Sequence, residues 1–359
     1  KDVWQLSHFI SPFLSFEFLC TTYLWEPTLY QENWFATTTE PALPVMVKCR
    51  PQSQAPATDI HRCWEQTGNF YTRGMGSDNL TDPFIALGTM PAASALFRDM
   101  TGIRFHHPQW IAENCTACGK CYTICPDTAI PGLVNDISQV LDTVVERVKR
   151  HTDTVKHLPR AVRLMESQLR AMFNAAKETD NVGAILEDAI QATISSTATN
   201  DQDKAELENE FQAFRDELGD FQFALTRPYY ALAEKKEPGS GGLFNLAINP
   251  YTCKGCGECI AVCPDDALRN ITQTNETVND LRTDWDLWLA LPNTPKKFMR
   301  IDDLEERIGI LENILLDKSN YLALSSGDGA CMGCSEKTVL HLFVATVEAL
   351  MQPRIEKHL

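Results

Sequence analysis

The amino-acid sequence predicts an α+β protein in which a small cysteine-rich core is interrupted by a mainly α-helical insertion and flanked by linker segments. Three observations lead to this fold class. A cysteine motif occurs twice with its spacing preserved, and the long interval between the copies has the apolar periodicity of helices. Just before the second copy, the segment Leu243-Phe-Asn-Leu-Ala-Ile-Asn alternates as a strand does.

The duplicated motif has the spacing C-x2-C-x2-C-x3-C-P and contains eight of the thirteen cysteines. In two-cluster ferredoxins this run holds a 4Fe-4S cluster, and its fourth cysteine serves the cluster of the other copy. Gly119 and Gly257 fall where a loop around a cluster needs unusual backbone dihedrals. The sequence therefore predicts cluster 1 on Cys115, Cys118, Cys121 and Cys263, and cluster 2 on Cys253, Cys256, Cys259 and Cys125.

Other uses of these eight cysteines fit the spacing less well. Structural zinc usually takes four thiolates from two separated C-x2-4-C pairs. Disulfides require an oxidising compartment, and a redox dithiol needs only one C-x-x-C. Neither accounts for a doubled run of four cysteines, so iron-sulfur clusters are the favoured interpretation.

The composition narrows the function classes. The 359 residues are 44% apolar, which suggests two or three domains with real cores. A net charge of -16 without a basic stripe argues against binding to nucleic acid, and no apolar run is long enough to span a bilayer. The first residues, Lys1-Asp-Val-Trp, suggest the interior of a longer polypeptide. Reduced cluster cysteines and the lack of an export signal predict a cytoplasmic protein.

The chain before the first cysteine motif divides into two segments. Residues 1–63 are rich in aromatic residues and proline and are interpreted as an interdomain segment of buried packing. Within residues 64–107, the stretch from Gly74 predicts a loop, a turn and one short amphipathic helix over 92–100. His106 and His107 favour a solvated turn, with tuning of a cluster through hydrogen bonds to sulfur as the alternative. Three cysteines here have no ligand spacing and are interpreted as small apolar side chains: Cys20, Cys49 and Cys63.

Between the two cysteine runs, apolar residues recur at i, i+3, i+4 and i+7 in four sets. The sets cover residues 137–148, 162–173, 185–194 and 207–218. They predict three or four helices in a compact inserted bundle, and their apolar stripes are core faces. Residues 236–242 contain one proline and three glycines, and they predict the flexible return to the cysteine-rich core.

After the second cysteine run, a helix is predicted to begin at Asp302 and Asp303, whose carboxylates suit a helix N-terminus. Its apolar positions are Leu304, Ile308, Leu311 and Leu315. A third cysteine pair follows, Cys331 and Cys334, and then a predicted helix over about 336–351. A lone C-x2-C is compatible with half a zinc site, a redox dithiol, or two of the four ligands of a cluster.

Three stretches of the chain resemble one enzyme family. They are Pro108-Gln-Trp-Ile-Ala-Glu-Asn-Cys-Thr-Ala-Cys-Gly-Lys-Cys, Ile248-Asn-Pro-Tyr-Thr-Cys-Lys-Gly-Cys-Gly-Glu-Cys and Ser325-Ser-Gly-Asp-Gly-Ala-Cys-Met-Gly-Cys-Ser-Glu-Lys-Thr. In order and spacing they resemble the pyruvate:ferredoxin (2-oxoacid:ferredoxin or flavodoxin) oxidoreductases, whose S-G-A-C-x-G-C-G-E-T motif opens the thiamine-pyrophosphate domain. The chain departs from the family where Asp328 is extra, where Ser335 replaces a glycine, in its long helical insertion, and in lacking the E-K-R signature of the linker domain.

The resemblance implies that Cys331 and Cys334 supply two ligands of a third 4Fe-4S cluster, the one nearest the thiamine. Glu336 is then either close to the thiamine or simply a carboxylate at a helix N-terminus. The parent enzyme is expected to cleave pyruvate or a related 2-oxoacid with thiamine pyrophosphate and magnesium. It is expected to transfer the acyl group to coenzyme A, to pass electrons to ferredoxin or flavodoxin, and to be a dimer. As an internal or truncated fragment, this chain is expected to carry electrons and not to decarboxylate by itself.

Two other roles stay open at this point. The chain is alternatively a stand-alone two-cluster electron-carrier subunit, in which the third cysteine pair holds no cluster, or the helical insertion is a docking surface for a neighbouring subunit. The predicted division of the chain is an interdomain segment (1–63), a linker domain (64–107), a two-cluster ferredoxin domain (108–132 and 243–272), a helical insertion (133–242), and a connector helix with the start of a thiamine-pyrophosphate domain (273–359).

Overall fold

The computed structural model describes residues 99–152, 155–197, 200–300, 308–324 and 332–358, together with residues 68, 70 and 73–78. Several predicted features lie outside the described residues. They are the interdomain segment 1–63 with its three cysteines, the short helix over 92–100 apart from its last two residues, Asp302, Asp303, Leu304 and Cys331. The described residues confirm the α+β class, because two small sheets lie among many helices.

Four strands and eleven α-helices are described. The strands are β1 (His106–Trp110), β2 (Gly132–Asp136), β3 (Gly242–Leu246) and β4 (Leu268–Thr272). The helices are α1 (Lys120–Ile124), α2 (Ile137–His151), α3 (Leu158–Ala175), α4 (Val182–Thr197), α5 (Asp201–Leu218), α6 (Leu232–Lys236), α7 (Glu258–Ala261), α8 (Asn275–Ala290), α9 (Ile310–Ile314), α10 (Lys318–Tyr321) and α11 (Ser335–Ile355). One π-helical turn, Arg227–Ala231, leads into α6.

The strands pair crosswise between the two cysteine runs. Strand β1, before the first run, pairs antiparallel with β4, after the second, and β2, after the first run, pairs antiparallel with β3, before the second. Each run is therefore held at both ends by strands that belong to the other run. Asp136 at the end of β2 lies directly opposite Gly242 at the start of β3, so the helical insertion leaves and rejoins the core at one point.

The insertion contains four helices, α2 to α5, in the places that the apolar periodicity predicts. Local polar contacts fix where these helices begin. The amide of Asp136 donates to Gln139 Oε1 at 3.0 Å at the start of α2, and Asn200 accepts from the amide of Asp203 at 2.7 Å at the start of α5. At the start of α3, the carboxylate of Glu210 on α5 accepts from three successive backbone N–H groups, those of residues 156–158. These contacts replace the hydrogen bonds that a helix cannot make at its own N-terminus.

The β2–β3 ribbon separates two apolar cores and contributes side chains to both. Leu133 and Leu243 pack with α2 to α5 and with α8, whose Trp285 and Trp288 rings stack at 4.8 Å and are fully buried. Val134 and Phe244 face the other way, into the core around the cysteines. The alternating sequence of β3 thus sends neighbouring side chains into different cores, and every residue of the strand is buried. The insertion and the cysteine-rich core consequently pack on opposite faces of the same ribbon.

Three predictions about local structure require correction. His106 and His107 do not form a solvated turn, because they begin β1; His107 is buried and its Nε2 lies 3.0 Å from Thr277 Oγ1. Ile308 does not belong to a helix, because Gly309 caps α9 and the helix begins at Ile310. The helix α11 runs longer than predicted, and its apolar positions Leu340, Phe343, Val347 and Leu350 are all exposed in the described part of the chain. No helix in the described ranges is both long and apolar enough to cross a bilayer.

A groove of about 810 Å³ lies between the insertion and the cysteine-rich core. Three carboxylates, Asp220, Asp280 and Asp284, line one side of it. Burial, reinforced by the negative charges of the other two, raises the pKa of Asp284 to about 7 from its ordinary value of 3.8. The folded state therefore holds the Asp284 proton more tightly than the unfolded chain does.

We expect the Asp284→Asn variant to become more stable than the parent chain as the pH rises from 5 to 8. A raised carboxyl pKa contributes stability at low pH that is lost as the pH rises through the folded value, so replacing the carboxyl with a neutral amide prevents this loss. The gain at pH 8 should be about 2–4 kcal/mol. Urea unfolding at several pH values measures it. The matched control for removing one carboxylate is Asp188→Asn, at an exposed position of α4. An Asp284→Asn profile that runs parallel to that of this control would contradict the assignment.

Candidate iron-sulfur centres

Eight cysteines of the two runs form two separate groups of four. One cavity, cavity 1, is lined by Cys115, Cys118, Cys121 and Cys263. A second of nearly equal size, cavity 2, is lined by Cys125, Cys253, Cys256 and Cys259. Each group contains three cysteines of one run and the last cysteine of the other. This is the crossed grouping that the motif predicts.

Strand pairing explains why the last cysteine of each run lies beside the other run. Short helices α1 and α7 each begin one residue before the third cysteine of their run, and they contact each other. With β1 on β4 and β2 on β3, the two loops face each other around an approximate twofold relationship. Cys125 and Cys263, at the ends of these helices, are thereby carried across to the opposite triplet.

The two loops repeat the same backbone conformation at equivalent positions. Three residues in each copy have positive φ, a region that favours glycine over residues with a Cβ. The equivalent pairs are Ala117 (61°) with Gly255 (67°), Gly119 (77°) with Gly257 (82°), and Thr128 (54°) with Asp266 (50°). Strained residues at matching places in both copies indicate that the loop geometry, rather than the individual side chain, is what each copy preserves.

Burial makes these thiols poor acids in the absence of a cation. Desolvation, together with the charges of neighbouring cysteines, raises the pKa of Cys115 and that of Cys125 to about 12, and it raises the pKa of Cys121 and of Cys259 further. Thiolates are the form that binds metal, and a bound cation reverses the electrostatic preference for the neutral thiol. Four thiols around one cavity therefore suit a polynuclear iron cluster that spreads its charge over several sulfurs.

Backbone N–H groups in the loops donate to the cysteine sulfurs. Ala129 N lies 3.3 Å from Cys125 Sγ. Backbone N–H groups of Ala117, Lys120 and Gly255 favour the thiolates of Cys115, Cys118 and Cys253 respectively, which works against the rise in their pKa. Such N–H to sulfur hydrogen bonds also stabilise a reduced cluster.

Charged side chains also lie at cavity 2, and no motif in the sequence marks them. Lys254, which is 1% exposed, lines the cavity together with Asp127, also 1% exposed. Lys254 Nζ lies 3.3 Å from Asp127 Oδ1, and Lys337 of α11 makes a second ion pair with the same oxygen. Arg104 is 4% exposed and donates from Nη1 to the carbonyl oxygen of Cys253 at 2.7 Å. Its position next to the second run could not be read from the sequence, because nearly 150 residues separate the two.

Cys334 lies at the N-terminus of α11, close to cavity 2. Thr338 Oγ1 on the first turn donates to the carbonyl oxygen of Ile124 at 2.9 Å. Gly333 lies so close to Glu258, a residue that lines cavity 2, that a Cβ on Gly333 would approach Glu258 Oε1 to 2.8 Å. Glu336 is exposed in the first turn of the helix. Cys331 lies outside the described residues, so the predicted pair is seen only through its second member.

The described cysteines are all free thiols, so none of them is used in a disulfide. Within the described ranges, no three His, Cys, Asp or Glu side chains converge closely enough to hold a single metal ion. The thiols of each group surround a cavity instead of meeting at a point. Cysteine type, number and spacing, together with loop backbones that repeat in both copies, fit a 4Fe-4S cluster in each cavity.

Comparison with known proteins supports the same interpretation. The 4Fe-4S binding domain family matches residues 108–130 and 246–269, which contain both cysteine runs. A pyruvate-flavodoxin oxidoreductase of Nostoc sp. is 27% identical over 106 residues, which cover 28% of this chain and 8% of that protein. One from Rhodospirillum rubrum is 28% identical over 114 residues, 30% of this chain and 8% of that protein. A pyruvate dehydrogenase [NADP(+)] of Cryptosporidium parvum is 32% identical over 100 residues, 28% of this chain and 4% of that protein.

The comparisons confirm the predicted resemblance and the iron-sulfur character of the chain. It carries a 4Fe-4S binding domain in two parts, and over about 30% of its length it is similar to pyruvate-flavodoxin oxidoreductases. The chain spans less than a tenth of the length of the curated relatives it matches.

We expect Gly255→Ala to disrupt the second cysteine loop. Gly255 has φ +67°, and an added Cβ would lie 2.3 Å from the carbonyl oxygen of His106, a backbone atom that β1 holds in place. Left-handed strain alone costs about 1–2 kcal/mol, and the clash adds to it. Iron content per chain should fall by about half, the share of one cluster. The midpoint temperature of thermal unfolding should fall as well.

The matched control is Gly239→Ala. Gly239 has φ +89°, but nothing lies within 4 Å of its added Cβ, so this variant carries the dihedral strain without the clash. It should retain the iron content of the parent. Equal iron loss in both variants would contradict the assignment of the loss to contact with β1, because Gly239 makes no such contact.

Proposed function

We propose that this chain is the electron-transfer segment of a 2-oxoacid:ferredoxin or flavodoxin oxidoreductase, with pyruvate or a related 2-oxoacid as substrate of the complete enzyme. The observation that carries the proposal is the crossed grouping of the eight motif cysteines around two cavities. Cluster 1 is held by Cys115, Cys118, Cys121 and Cys263, and cluster 2 by Cys125, Cys253, Cys256 and Cys259. Similarity to pyruvate-flavodoxin oxidoreductases over the same part of the chain supports the choice of enzyme.

Two adjacent clusters suit the transfer of single electrons. A 4Fe-4S cluster accepts one electron with its charge spread over iron and sulfide, and its potential is set by burial, charge and hydrogen bonds to sulfur. The two cysteine loops provide burial, nearby charges and N–H groups that donate to sulfur. Each run contributes one cysteine to the other cluster, which keeps the two clusters adjacent. An electron can therefore pass between them without a moving carrier.

The position of α11 suggests the order of transfer. Its N-terminus places Cys334 beside cavity 2, and the ion pair of Lys337 with Asp127 attaches the helix there. A third cluster with Cys331 and Cys334 among its ligands would be nearest to cluster 2. Cluster 2 would then be the middle carrier, and cluster 1 the outer one that meets the acceptor.

The remaining parts of the reaction belong to the complete enzyme. Thiamine pyrophosphate and magnesium would cleave the 2-oxoacid, coenzyme A would take the acyl group, and ferredoxin or flavodoxin would take the electrons. Glu336, exposed at the start of α11, is free to approach the thiamine from this side. A dimeric enzyme in the cytoplasm is part of the same proposal.

The crossed ligand sets give a direct test by substitution. Cys263→Ser and Cys115→Ser alter residues far apart in sequence, yet both should remove the same cluster and give the same EPR spectrum after reduction. Cys125→Ser and Cys256→Ser should share the other spectrum. The parent chain should contain about eight irons and eight sulfides and show interacting spins.

Cys334→Ser is the matched control, because it should leave both clusters and their interaction intact. Zinc in place of iron in the parent chain would contradict the proposal. So would a Cys263→Ser spectrum that matches that of Cys256→Ser, since each run would then serve its own cluster.

A further inference from the structure

The two cysteine loops make the same side-chain contact with different charges. In each copy, the residue after the first cysteine contacts the second residue after the last cysteine of the other copy. At cavity 1 this contact is a hydrogen bond, from Thr116 Oγ1 to Asp265 Oδ2 at 3.0 Å. At cavity 2 it is an ion pair, from Lys254 Nζ to Asp127 Oδ1 at 3.3 Å. The symmetry of the fold therefore isolates one change at this contact: a lysine beside cluster 2 where cluster 1 has a threonine.

Burial strengthens this difference. The side chain of Lys254 is fully buried and that of Asp127 is 2% exposed, whereas Thr116 is half-buried and Asp265 is exposed. A charge in the low-dielectric interior acts over a longer range than one screened by water. Asp127 also pairs with Lys337, so its single negative charge faces two lysines.

Arg104 adds a further buried cation at cavity 2. Its Nη1 donates to the carbonyl oxygens of Pro250 at 2.5 Å and Cys253 at 2.7 Å, and its Nε donates to Gln273 Oε1 at 2.6 Å. The guanidinium charge favours the thiolate of Cys253. Arginine remains protonated in proteins, so its charge is permanent.

Among the described residues, carboxylates do not outnumber the cations at cavity 2. Lys254, Asp127 and the half-buried Glu258 line the cavity, Lys337 pairs with Asp127, and Arg104 donates to the carbonyl oxygen of Cys253. At cavity 1, Lys120 favours the thiolate of Cys118 and Asp265 disfavours it, and these two charges offset each other near solvent. Counting the described residues, cavity 2 is thus the more positive of the two environments.

We propose that Arg104 and Lys254 raise the reduction potential of cluster 2 above that of cluster 1, so that a single electron entering the pair resides on cluster 2. Reduction adds a negative charge to a cluster, and buried cations stabilise that charge. Deeper burial of Cys125, Cys253 and Cys259 acts in the opposite direction, because it disfavours added charge. The same burial removes the water that would screen Arg104 and Lys254, which strengthens their attraction for the added charge.

Backbone N–H groups also tune the potential of a cluster through hydrogen bonds to sulfur. Those groups donate to sulfur in both copies and therefore cannot distinguish the clusters. Side-chain charges differ between the copies, and they provide the asymmetry. The inference rests on the proposed function, since it requires a cluster in each cavity.

Reciprocal substitutions test it. Lys254→Thr gives cavity 2 the threonine found at the equivalent position of cavity 1, and Thr116→Lys gives cavity 1 the lysine of cavity 2. In a potentiometric titration followed by EPR, the parent chain should show two one-electron steps. Lys254→Thr and Arg104→Gln should each lower the upper step, with at least a tenfold change in the ratio of oxidised to reduced cluster at a fixed potential, about 59 mV. Thr116→Lys should raise the lower step.

The double variant Lys254→Thr with Asp127→Asn is the matched control. It removes one positive and one negative charge, so its upper step should return towards that of the parent. If iron and sulfide are present at parental levels and neither Lys254→Thr nor Arg104→Gln moves the upper step, the inference is overturned.

Two further outcomes separate the inference from the proposed function. A parent chain that binds no iron refutes the proposed function before any potential is measured. Should Lys254→Thr or Arg104→Gln lose its cluster, Thr116→Lys decides alone, because it adds a charge at a half-buried position without removing a buried partner. A lower step that stays unmoved in this variant overturns the inference.

Discussion

The structure depends on the antiparallel pairing of strands that belong to different cysteine runs. Because β1 pairs with β4 and β2 with β3, neither run can close its own loop without the other. The last cysteine of each run then lies in the wall of the opposite cavity. Hydrogen bonding between main chains thus determines which thiols meet. The four thiols available to each cavity are therefore set by the pairing of the strands.

The cysteine spacing predicted the grouping of thiols, because its consequence is local and repeats in both copies. Apolar periodicity predicted the four insertion helices for the same reason, as each stripe is decided within a few turns. Gly309 shows where such reasoning ends: the periodicity continues through Ile308, but the backbone at the glycine is extended and the helix starts after it. His107 was misread because its burial depends on α8, whose Thr277 it contacts.

Contacts between charged side chains of distant segments could not be predicted from the sequence, because these residues form no motif. Arg104, Asp127 and Lys337 come from three separate regions and meet at cavity 2. Each is an ordinary polar residue in its own context. Lys254 is the exception, because its place between two ligand cysteines is visible in the sequence, and the comparison with Thr116 needs only the two aligned runs.

The β2–β3 ribbon also has a consequence for how this protein could be shortened. Asp136 and Gly242 lie opposite each other, so a tight turn could join them and leave the strand register unchanged. Such a molecule would keep every cysteine but would uncover Leu133 and Leu243, which now pack against the bundle. The shortened protein would therefore expose an apolar surface on one face of its hairpin, and solubility would require polar substitutions there. The bundle acts as a permanent cover for a surface that a smaller electron carrier must make hydrophilic.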